Sequence, residues 1–496
     1  MEINSESLRF ILGIKIKQFR QNAGLSLKQL SERTQLSVSY LSEIEKGKKY
    51  PKPEKIVLLA HALNRTFDEL VSLQLDDDLN PLSALLNSPV LKDFPLQQFG
   101  IGLSDVFDLV NDSPSKAGAF VRTLLEISRG YDMNVEHFLL ASLRSYQKMH
   151  HNYFEELEAA ANDFRVQNRI PPSSGISQSW LEALLRDEFQ CRILYDDFND
   201  YPELTPLRSI SPSPKKIMIN SRLQPQQKKF ILARELGYRI LKLKERAQTS
   251  SWVKVETFDQ IFNNFKASYF AGALLIPEQE IAKELGPWLQ NHKFDGEALY
   301  ALMVKYDSTP EMFLYRMSQV MPSHFGVHKL HYMRLNHDLT RDSIHITKEL
   351  NLTNVFIPRS IGPGEHQCRR WAATASLKQL ASETHEMNDV QVSAQRSTFV
   401  ERGKTFFNIA VVRSKSLGQQ TNTGMTLGFL IDDTFKGQAG FWNDADVPDS
   451  NVNETCERCP LSDCESRVAE PTLFNTLQQQ KAREDALDAF MTDHQA

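Results

Sequence analysis

Three cysteines near the C-terminus have a spacing that suits a metal ion or a metal cluster. Cys456, Cys459 and Cys464 lie in the segment "CERCPLSDCESR", with two and then four residues between successive cysteines. Thiolates this close together can ligate one ion without closing a large loop, and Cys368 in "GEHQCRRWAATAS" is available as a fourth. Four thiolates suit structural zinc and a four-iron cluster equally well, so the spacing leaves both open. Cys191, in the apolar stretch "FQCRIL", is expected to be a buried core thiol.

A second stretch with chemical potential is "ARELGYRIL", which begins at Ala233 on a predicted helix. A zinc peptidase helix needs two histidines four residues apart, a glutamate between them as general base, and a third ligand from a later helix. Only the glutamate, Glu235, is present. Arg234 would repel zinc, and Tyr238 is a poor ligand at neutral pH. A working zinc peptidase is therefore not expected, and Glu235 is predicted to pair with Arg239 or Arg234 or to be exposed.

The composition of the whole chain is that of folded domains. Its 496 residues are too many for one core and predict three or four domains. With 41% hydrophobic and 24% charged residues, the chain is not mainly disordered. No apolar run approaches the roughly 18 residues of a membrane span, and the N-terminus lacks the zones of a signal peptide. A cytoplasmic location without a membrane partner is expected, and there five cysteines do not form a disulfide framework.

The net charge of −5 hides a basic N-terminal segment. Residues 9 to 56 hold eleven Lys and Arg against four Glu, whereas "DELVSLQLDDDLNP" is acidic and ends at a proline, as is typical of a domain edge. Apolar residues recur at helical spacing and are interrupted by "NAGLS", "TQLS" and "KGKKYPKP", which predicts about five short helices. Ser26 and Ser37 can cap two of them, so the segment is predicted to form a helix-turn-helix.

The stretch "SYLSEIEKGKKYPKPEKIVLLAHAL" resembles the Cro/repressor-like helix-turn-helix family, and the similarity covers residues 9–73. In such a motif the start of the second helix enters the major groove, so the following outward-facing residues can read base edges: Val38, Ser39, Ser42 and Glu43. The resemblance places six side chains for phosphate contacts, which give affinity but not sequence preference: Lys28, Gln29, Ser37, Tyr40, Lys46 and Lys48. Gln35 and Ser31 stand where the family often has glycine and alanine. Double-stranded DNA is the implied partner, bound by a homodimer or a higher homo-oligomer.

Residues 74–165 are predicted to be a linker and a helical connector. From 166 to 321, β-like runs in "QCRILYDDF" and "KKIMINSRL" precede two predicted helices, "PQQKKFILARELGYRILKLK" and "NFKASYFAGALLIP". This order resembles the ImmA/IrrE-type metallopeptidase domain. Where that family carries its third ligand, this chain offers Asn264 and Lys266. The resemblance therefore implies the fold without the zinc reaction.

Residues 322–471 are the richest in strand-like stretches and predict an α+β ligand-binding domain, with a tail at 472–496. In order, "FGVHKLHYMRLNHDLT", "CRRWAATAS", "SAQRSTFVERGKTFFNIAVVRS" and "CERCPLSDCESR" resemble the C-terminal domain of the short-chain fatty acyl transcriptional regulator family. That family joins its three domains in the same order. The expected fold class is therefore multi-domain: an all-α helix-turn-helix N-terminus, an α+β degenerate metallopeptidase-like middle, and an α+β sensing domain with a cysteine cluster.

This resemblance implies a function for the whole chain. Members are transcription regulators that respond to short-chain acyl-CoA and control genes of carbon or short-chain fatty acid metabolism. The resemblance also suggests a 4Fe-4S iron-sulfur cluster on four cysteines, which here are Cys368, Cys456, Cys459 and Cys464. Arg458 and Arg467 would offset the negative charge of such a site.

Five side chains could meet the phosphates and adenine of a CoA-like ligand, because arginine suits phosphate and tryptophan suits stacking: Arg369, Arg370, Trp371, Arg396 and Arg402. The arginines could equally be surface charges and the tryptophan a core residue. The sequence contains no glycine-rich phosphate loop that would favour the ligand-binding interpretation. Two other functions remain open from the sequence. One is a DNA-associated zinc metallopeptidase that cleaves a repressor, and the other is a redox or iron sensor without an organic ligand. The missing zinc ligands disfavour the enzyme.

Overall fold

The computed structural model describes residues 5–72, 135–249, 257–353, 365–382, 389–400, 403–414 and 420–494. The chain divides into two compact units, one made of Met1–Tyr146 with Glu256–Phe258 and the other of Gln147–Val255 with Asp259–Ala496. Of the predicted linker and connector, residues 74–134 lie outside the described part of the chain. The predicted domain boundaries stay predictions.

Between residues 5 and 72, the regular structure of the first unit is helical. Its helices are α1 (Ser5–Asn22), α2 (Leu27–Thr34), α3 (Val38–Glu45), α4 (Pro53–Ala62) and α5 (Phe67–Val71). They share one apolar core, formed by Leu12, Ile16, Phe19, Leu25, Leu30, Leu41, Ile44, Ile56, Leu59, Ala60, Leu63 and Leu70. Helices this short are not stable alone in water, so the shared core holds them in place.

Local hydrogen bonds fix where α2 and α3 begin. Ser26 and Gln29 form a capping box at the start of α2, and the Ser37 hydroxyl accepts a hydrogen bond from the Tyr40 amide (3.1 Å) at the start of α3. Both caps were predicted from the sequence. The turn between the two helices passes through Gln35, whose φ of 58° is left-handed. Glycine adopts this conformation without steric cost, which explains why glycine is frequent at this position in the family that the segment resembles.

Residues 135 to 325 form mainly helices and one small sheet. The elements are α6 (Val135–Met149), α7 (Glu155–Gln167), α8 (Gln178–Asp187), β1 (Arg192–Asp196), β2 (Ser209–Ser213), β3 (Lys216–Asn220), α9 (Pro225–Ile240), α10 (Phe258–Leu275), α11 (Glu278–Leu289), α12 (Gly296–Lys305) and α13 (Pro310–Phe325), with a 3₁₀ turn at Pro202–Leu204. The sheet has the order β1-β3-β2; β1 is parallel to β3 and β2 is antiparallel to it. Helix α9 carries "ARELGYRIL" and is buried without interruption from Ile231 to Tyr238.

The C-terminal half of the second unit is built on a six-stranded sheet. Its elements are β4 (Leu330–Asp338), β5 (Ser343–Asn351), α14 (Ala372–Ser382), β6 (Val390–Phe399), β7 (Thr405–Arg413), β8 (Thr421–Leu430), α15 (Asp433–Gln438), a 3₁₀ turn (Gly440–Asn443), β9 (Asp449–Val452) and α16 (Thr472–His494). The strand order is β5-β4-β8-β7-β6-β9, and only β6 and β9 are parallel neighbours among these strands. Helix α14 packs on one face through Ala373 and Leu377, and Trp371, just before the helix, joins the same apolar core. Helix α13 packs against β4 and β8, and its Tyr315 contacts Tyr332 of β4.

Beneath α14 the sheet leaves no room for a side chain at Gly428. This residue lies opposite both His331 of β4 and Asn408 of β7. A Cβ atom on Gly428 would come within 2.1 Å of His331 Cε1 and 2.2 Å of Asn408 Oδ1. His331 is fully buried, and burial lowers the pKa of its imidazole to about 3. The ring is therefore neutral and has no nearby solvent into which it could move.

Gly428→Ala is expected to lower the free energy of unfolding of the second unit by about 1–3 kcal/mol or more, because the imidazole and the amide must both shift. Gly437→Ala is the matched control, since nothing lies within 4 Å of its Cβ position. It sits inside α15 and should be neutral or slightly stabilising. Urea denaturation measures both, and equal losses for the two variants would contradict the steric explanation.

The predicted fold class is confirmed. A helical N-terminus is followed by a region that combines helices with a three-stranded sheet, and then by a region built on the six-stranded sheet. The predicted tail is a single helix, α16, with no buried residue as far as His494. Within the described ranges, no helix has both the length and the apolar character needed to cross a membrane.

Candidate functional site

The recognition helix predicted from the sequence, α3, presents one face to solvent. Its buried residues are Leu41, Ile44 and Glu45. The four side chains predicted to read base edges lie elsewhere on the helix: Val38 and Ser39 are exposed, and Ser42 and Glu43 are half-buried. The start of α3 is thus accessible, as a helix that enters a major groove requires.

The side chains predicted to contact phosphate lie at the start of α2, on α3 and at both of its ends. None is buried: Lys28, Gln29, Ser37, Lys46 and Lys48 are exposed, and Tyr40 is half-buried. Two further lysines, which the sequence prediction left out, adjoin them. Lys55 Nζ lies 4.3 Å from the centroid of the Tyr40 ring, and Lys49 Nζ lies 2.7 Å from a carboxylate oxygen of Glu43. The charge run "KGKKYPKPEK" was the signal that could have included both.

Glu235 lies inside the second unit, enclosed by two guanidinium groups. Its side chain is 2% exposed. Arg246 donates to both carboxylate oxygens, over 2.9 and 2.7 Å, and Arg239 also donates to the carboxylate. Burial opposes ionisation of this carboxyl, but Arg246 and Arg239 outweigh that effect and hold its pKa below the ordinary value. The partner Arg239 was predicted, whereas Arg246 was missed because it lies beyond the end of α9.

The positions where zinc-binding histidines were sought make other contacts. Arg234 donates to the Ser209 hydroxyl over 3.1 Å, not to Glu235 as one alternative predicted. The Tyr238 hydroxyl donates to Asn264 Oδ1 over 3.3 Å. Lys266 Nζ lies 4.1 Å from the centroid of the Phe262 ring. Each of these side chains thus contacts another side chain, and the Glu235 carboxylate accepts hydrogen bonds from Arg246 and Arg239 instead of being free to accept a proton from water.

Glu235→Gln is expected to destabilise the second unit by about 1–3 kcal/mol at pH 7, because charge-assisted hydrogen bonds become neutral ones. The folded pKa of Glu235 is depressed, so its stabilisation is complete above the unfolded-state pKa of about 4.5 and is lost as the pH falls through the folded value. The difference between wild type and variant should therefore shrink on acidification. Denaturant titrations at a series of pH values measure it. Glu284→Gln, at a surface pair with Lys305, is the control and should show a far smaller difference.

The four cysteines predicted as a ligand set line one cavity. It is bounded by Cys368, Cys456, Cys459 and Cys464 together with Arg369, Arg370 and Arg467. The two segments that carry the thiols are joined by backbone hydrogen bonds, from the Cys368 amide to the Glu454 carbonyl (3.2 Å) and from the Cys456 amide to the His366 carbonyl (2.9 Å). Burial raises the pKa of the Cys368 thiol, and the nearby Cys459 and Cys456 add to that effect. Among the described residues, no three His, Cys, Asp or Glu side chains already stand in metal-binding positions. Cys191 is buried apart from this set, as predicted.

Arginines organise the thiol cavity in two ways. Arg467 donates to the backbone carbonyls of Cys456 (2.8 Å) and Cys459 (3.1 Å) and so fixes the course of the loop that carries them. Arg458 is bound to Glu365 in a two-point ion pair of 2.8 Å at each contact. Arg369 lines the cavity, and its Nε and Nη1 groups are buried without a hydrogen-bond partner in the described part of the chain. Unpaired buried donors of a cation suit an anionic occupant.

Of the five side chains predicted to meet an effector, the four that the structure describes do not share one pocket. Arg369 and Arg370 line the thiol cavity. Trp371 is buried and donates from its indole nitrogen to the Asn453 carbonyl over 2.9 Å. Arg396 forms a two-point ion pair with Asp449, at 2.7 and 2.9 Å. Arg402 lies outside the described residues. Their assignment to a ligand stays a prediction.

A different group of cations surrounds Glu311 and was missed by the sequence reasoning. Arg208 Nη2 donates to Glu311 Oε2 over 3.0 Å, and Arg334 Nε lies 3.3 Å from the same oxygen. Lys348 faces Arg334 across β4 and β5, and Arg413 on β7 interacts electrostatically with Glu311. Arg208, Arg334, Lys348 and Arg413 are called the basic cluster below. Despite the cost of burial, its members hold the pKa of Glu311 well below the ordinary value. These residues are far apart in sequence, so no motif could have revealed them.

Comparison with known proteins identifies two parts of the chain. A helix-turn-helix family model matches residues 16–70, and a model of the IrrE N-terminal-like domain, a peptidase family, matches residues 186–318. No curated protein matches the chain. Among solved structures, a Mycobacterium tuberculosis transcriptional regulator is similar, with 18% sequence identity and a TM-score of 0.44 over 66% of this chain and 92% of that one. The resemblances predicted for the first two domains are confirmed, and that of the C-terminal region stays a prediction. The helix-turn-helix match and the exposed α3 support a DNA-binding regulator with a peptidase-like middle region.

Proposed function

We propose that the chain is a sequence-specific transcription regulator that binds double-stranded DNA through α3 and responds to a signal received in its second unit. The observation that carries this proposal is the exposed start of α3 on a well-packed helix-turn-helix, with exposed lysines on α2 and after α3. Positive charge supplies affinity for the DNA backbone, and the outward side chains of α3 supply sequence preference. A homodimer that engages two half-sites accompanies this mode of binding.

The effector in this proposal is a short-chain acyl-CoA or a related small molecule, and the controlled genes are those of short-chain carbon metabolism. Its support is the order of the sequence segments that resemble the short-chain fatty acyl regulator family. Effector and DNA must then alter each other's affinity by the same factor. An effector that binds the free and the DNA-bound protein with equal affinity would leave the affinity for DNA unchanged.

The four thiols are proposed to hold a 4Fe-4S cluster, with structural zinc as the alternative. Three features support a fit: the donor set of four cysteines, their shared cavity, and the unpaired buried donors of Arg369. Such a cluster would supply a redox-active centre. Arg467 would keep the loop of Cys456 and Cys459 in place, and Arg369 would balance negative charge on the ligands.

The peptidase-like region is proposed to act as a scaffold without hydrolytic activity. A zinc peptidase needs a glutamate free to act as general base, whereas Glu235 is bound by Arg246 and Arg239. The alternative, a protease that cleaves a repressor, requires this carboxylate to be released. Incubation of the pure protein with an unfolded repressor domain, with and without added zinc, tests that alternative. Cleavage that is lost in Glu235→Gln would establish it and overturn the scaffold proposal.

DNA binding is tested by fluorescence anisotropy with fragments of the upstream region of the chain's own gene. Wild type should bind one fragment specifically, with an affinity that falls steeply with salt. Replacing both Lys46 and Lys48 with alanine should lower the slope of log affinity against log salt by about 2 and leave sequence preference intact. Ser42→Ala should instead alter preference among fragments. Lys293→Ala, an exposed lysine of the second unit, is the control and should leave the slope unchanged. Absence of specific binding at low salt, with and without acyl-CoA, would refute the regulator.

The cofactor is tested by anaerobic purification followed by absorption spectroscopy and by iron, sulfide and zinc analysis. A 4Fe-4S cluster predicts absorption near 400 nm and about four iron and four sulfide per chain. Cys459→Ser should abolish that absorption, and Cys191→Ser, at a buried thiol away from the cavity, should preserve it. Bound zinc without absorption near 400 nm would show that the four thiols hold structural zinc instead of an iron-sulfur cluster. If the protein holds a cluster and no acyl-CoA changes its affinity for DNA, it would be a redox or iron sensor without an organic ligand.

A further inference from the structure

The sheet face that packs against α13 carries unpaired polar atoms at one end. Along β4, Tyr332 and Asn336 point to this face, and the strand register places Thr423 of β8 beside Asn336. The Tyr332 hydroxyl, Asn336 Oδ1 and Thr423 Oγ1 are all buried and lack a hydrogen-bond partner among the described residues. Each such group destabilises a folded protein unless something bonds to it. The two hydroxyls, of Tyr332 and Thr423, can each donate a hydrogen bond to an anionic ligand on this face.

The same face carries the basic cluster. Arg334 lies between Tyr332 and Asn336 on β4, Lys348 is its neighbour on β5, and Arg413 of β7 pairs in register with Thr423. Arg413 is 6% exposed. Desolvation lowers the pKa of Arg413 to about 10, and Arg208 and Arg334 add to that shift. The cations are therefore held together at a cost that an anion would relieve.

The charge count favours a polyanion. Among the described residues, Arg208, Arg334 and Lys348 face one carboxylate, Glu311, which leaves an excess of two positive charges. A monocarboxylate would neutralise only one of them, whereas a diphosphate carries several negative charges close together and presents oxygens to several donors.

Two helices direct their N-termini to the same place. Gln224, the N-cap of the 16-residue α9, accepts a hydrogen bond of 2.7 Å from Arg413. Glu311 occupies the first turn of the 16-residue α13. The positive ends of both helix dipoles thus reinforce the potential produced by the arginines.

We propose that this face binds the diphosphate portion of a small-molecule effector, with Arg334 and Arg413 as its principal ligands and the Tyr332 hydroxyl as a donor. The assignment rests on the proposed function, which requires an effector in the second unit. It locates the anionic part of that effector on the α13 side of the sheet, opposite the face on which α14 packs. Coenzyme A and nucleoside diphosphates share the required chemistry.

Isothermal titration of the full-length protein with inorganic pyrophosphate tests the site without assuming the rest of the effector. Wild type should bind, and Arg334→Gln and Arg413→Gln should each weaken binding about tenfold or more, since each removes a charge-assisted hydrogen bond. Tyr332→Phe should weaken binding several-fold while leaving urea stability unchanged or raised, because it deletes a hydroxyl that is unpaired in the free protein. A purely structural role for the cluster would not produce that combination. Arg396→Gln is the matched control and should bind as wild type does.

Parallel titrations with coenzyme A and with ADP distinguish the two sources of the diphosphate, since the true source should bind more tightly than pyrophosphate and show the same losses in the variants. Failure of wild type to bind pyrophosphate would overturn the proposal. So would loss of binding in Arg396→Gln together with normal binding in Arg334→Gln. Because DNA binding is measured separately, specific DNA binding by a protein that ignores pyrophosphate would refute this site and leave the regulator proposal standing.

Discussion

Arg316→Met is expected to lower the free energy of unfolding of the second unit by about 3–5 kcal/mol, because it leaves a buried carboxylate without its cation. Arg316 and Glu158 are joined by two hydrogen bonds, of 2.5 and 2.7 Å, and their side chains are 1% and 6% exposed. Arg316 Nε also donates to the Ile276 carbonyl over 2.9 Å. One guanidinium thus ties α13 to α7 and to the end of α10. Urea denaturation, with amide hydrogen exchange of α7 and α13 as a local readout, measures the loss.

The double variant with Glu158→Gln tests whether the cost arises from the stranded charge. Glutamine can still accept the hydrogen bond that the Tyr269 hydroxyl now donates to Glu158 over 2.7 Å, and it carries no charge that needs a partner. The double variant should therefore be more stable than Arg316→Met alone. Lys283→Met, at an exposed pair with Glu280, should change stability by less than about 0.5 kcal/mol. A double variant less stable than the single one would show that the cost does not come from the stranded charge of Glu158.

Local signals explain why the helix-turn-helix could be predicted from the sequence. The caps at Ser26 and Ser37 act within three residues, and the positions of Leu41 and Ile44 in the core follow from helical spacing. The same holds for the pair formed by Glu235 and Arg239, which are one helical turn apart. Such features need no knowledge of how distant segments meet.

Other features depend on distant segments and escaped prediction. Arg246 reaches Glu235 from an irregular segment beyond α9, where no periodicity places it. The basic cluster is drawn from Arg208, just before β2, and from β4, β5 and β7, so its members converge only in the folded chain. Conversely, Trp371 and Arg396 have the chemistry to bind a CoA-like ligand, but in the structure both donate hydrogen bonds to other residues of the chain. Residue type identifies what a side chain can do, whereas the fold decides which partner it receives.

Arg20→Met is expected to abolish specific DNA binding, because it releases the helix that reads the groove. Arg20 of α1 donates to both carboxylate oxygens of Glu45 at the end of α3, over 2.6 and 2.9 Å, and the Glu45 side chain is only 5% exposed. The backbones of α1 and α3 also touch: a Cβ on Gly13 would lie 2.4 Å from the Ile44 carbonyl oxygen. An unpaired buried carboxylate at this contact should cost about 3–5 kcal/mol. That is a large part of the stability of a small domain.

Two readouts separate loss of structure from loss of a DNA contact. In Arg20→Met, amide protons of α1 and α3 should lose protection and exchange faster in the absence of DNA. The specific affinity for DNA should fall together with this loss of protection. Arg33→Met removes the same charge from an exposed position at the end of α2 and should change amide exchange little. Adding Glu45→Gln to Arg20→Met should restore part of both protection and affinity, since it removes the stranded charge. If Arg20→Met kept full protection but lost affinity, Arg20 would act at the DNA instead of holding α3 in place.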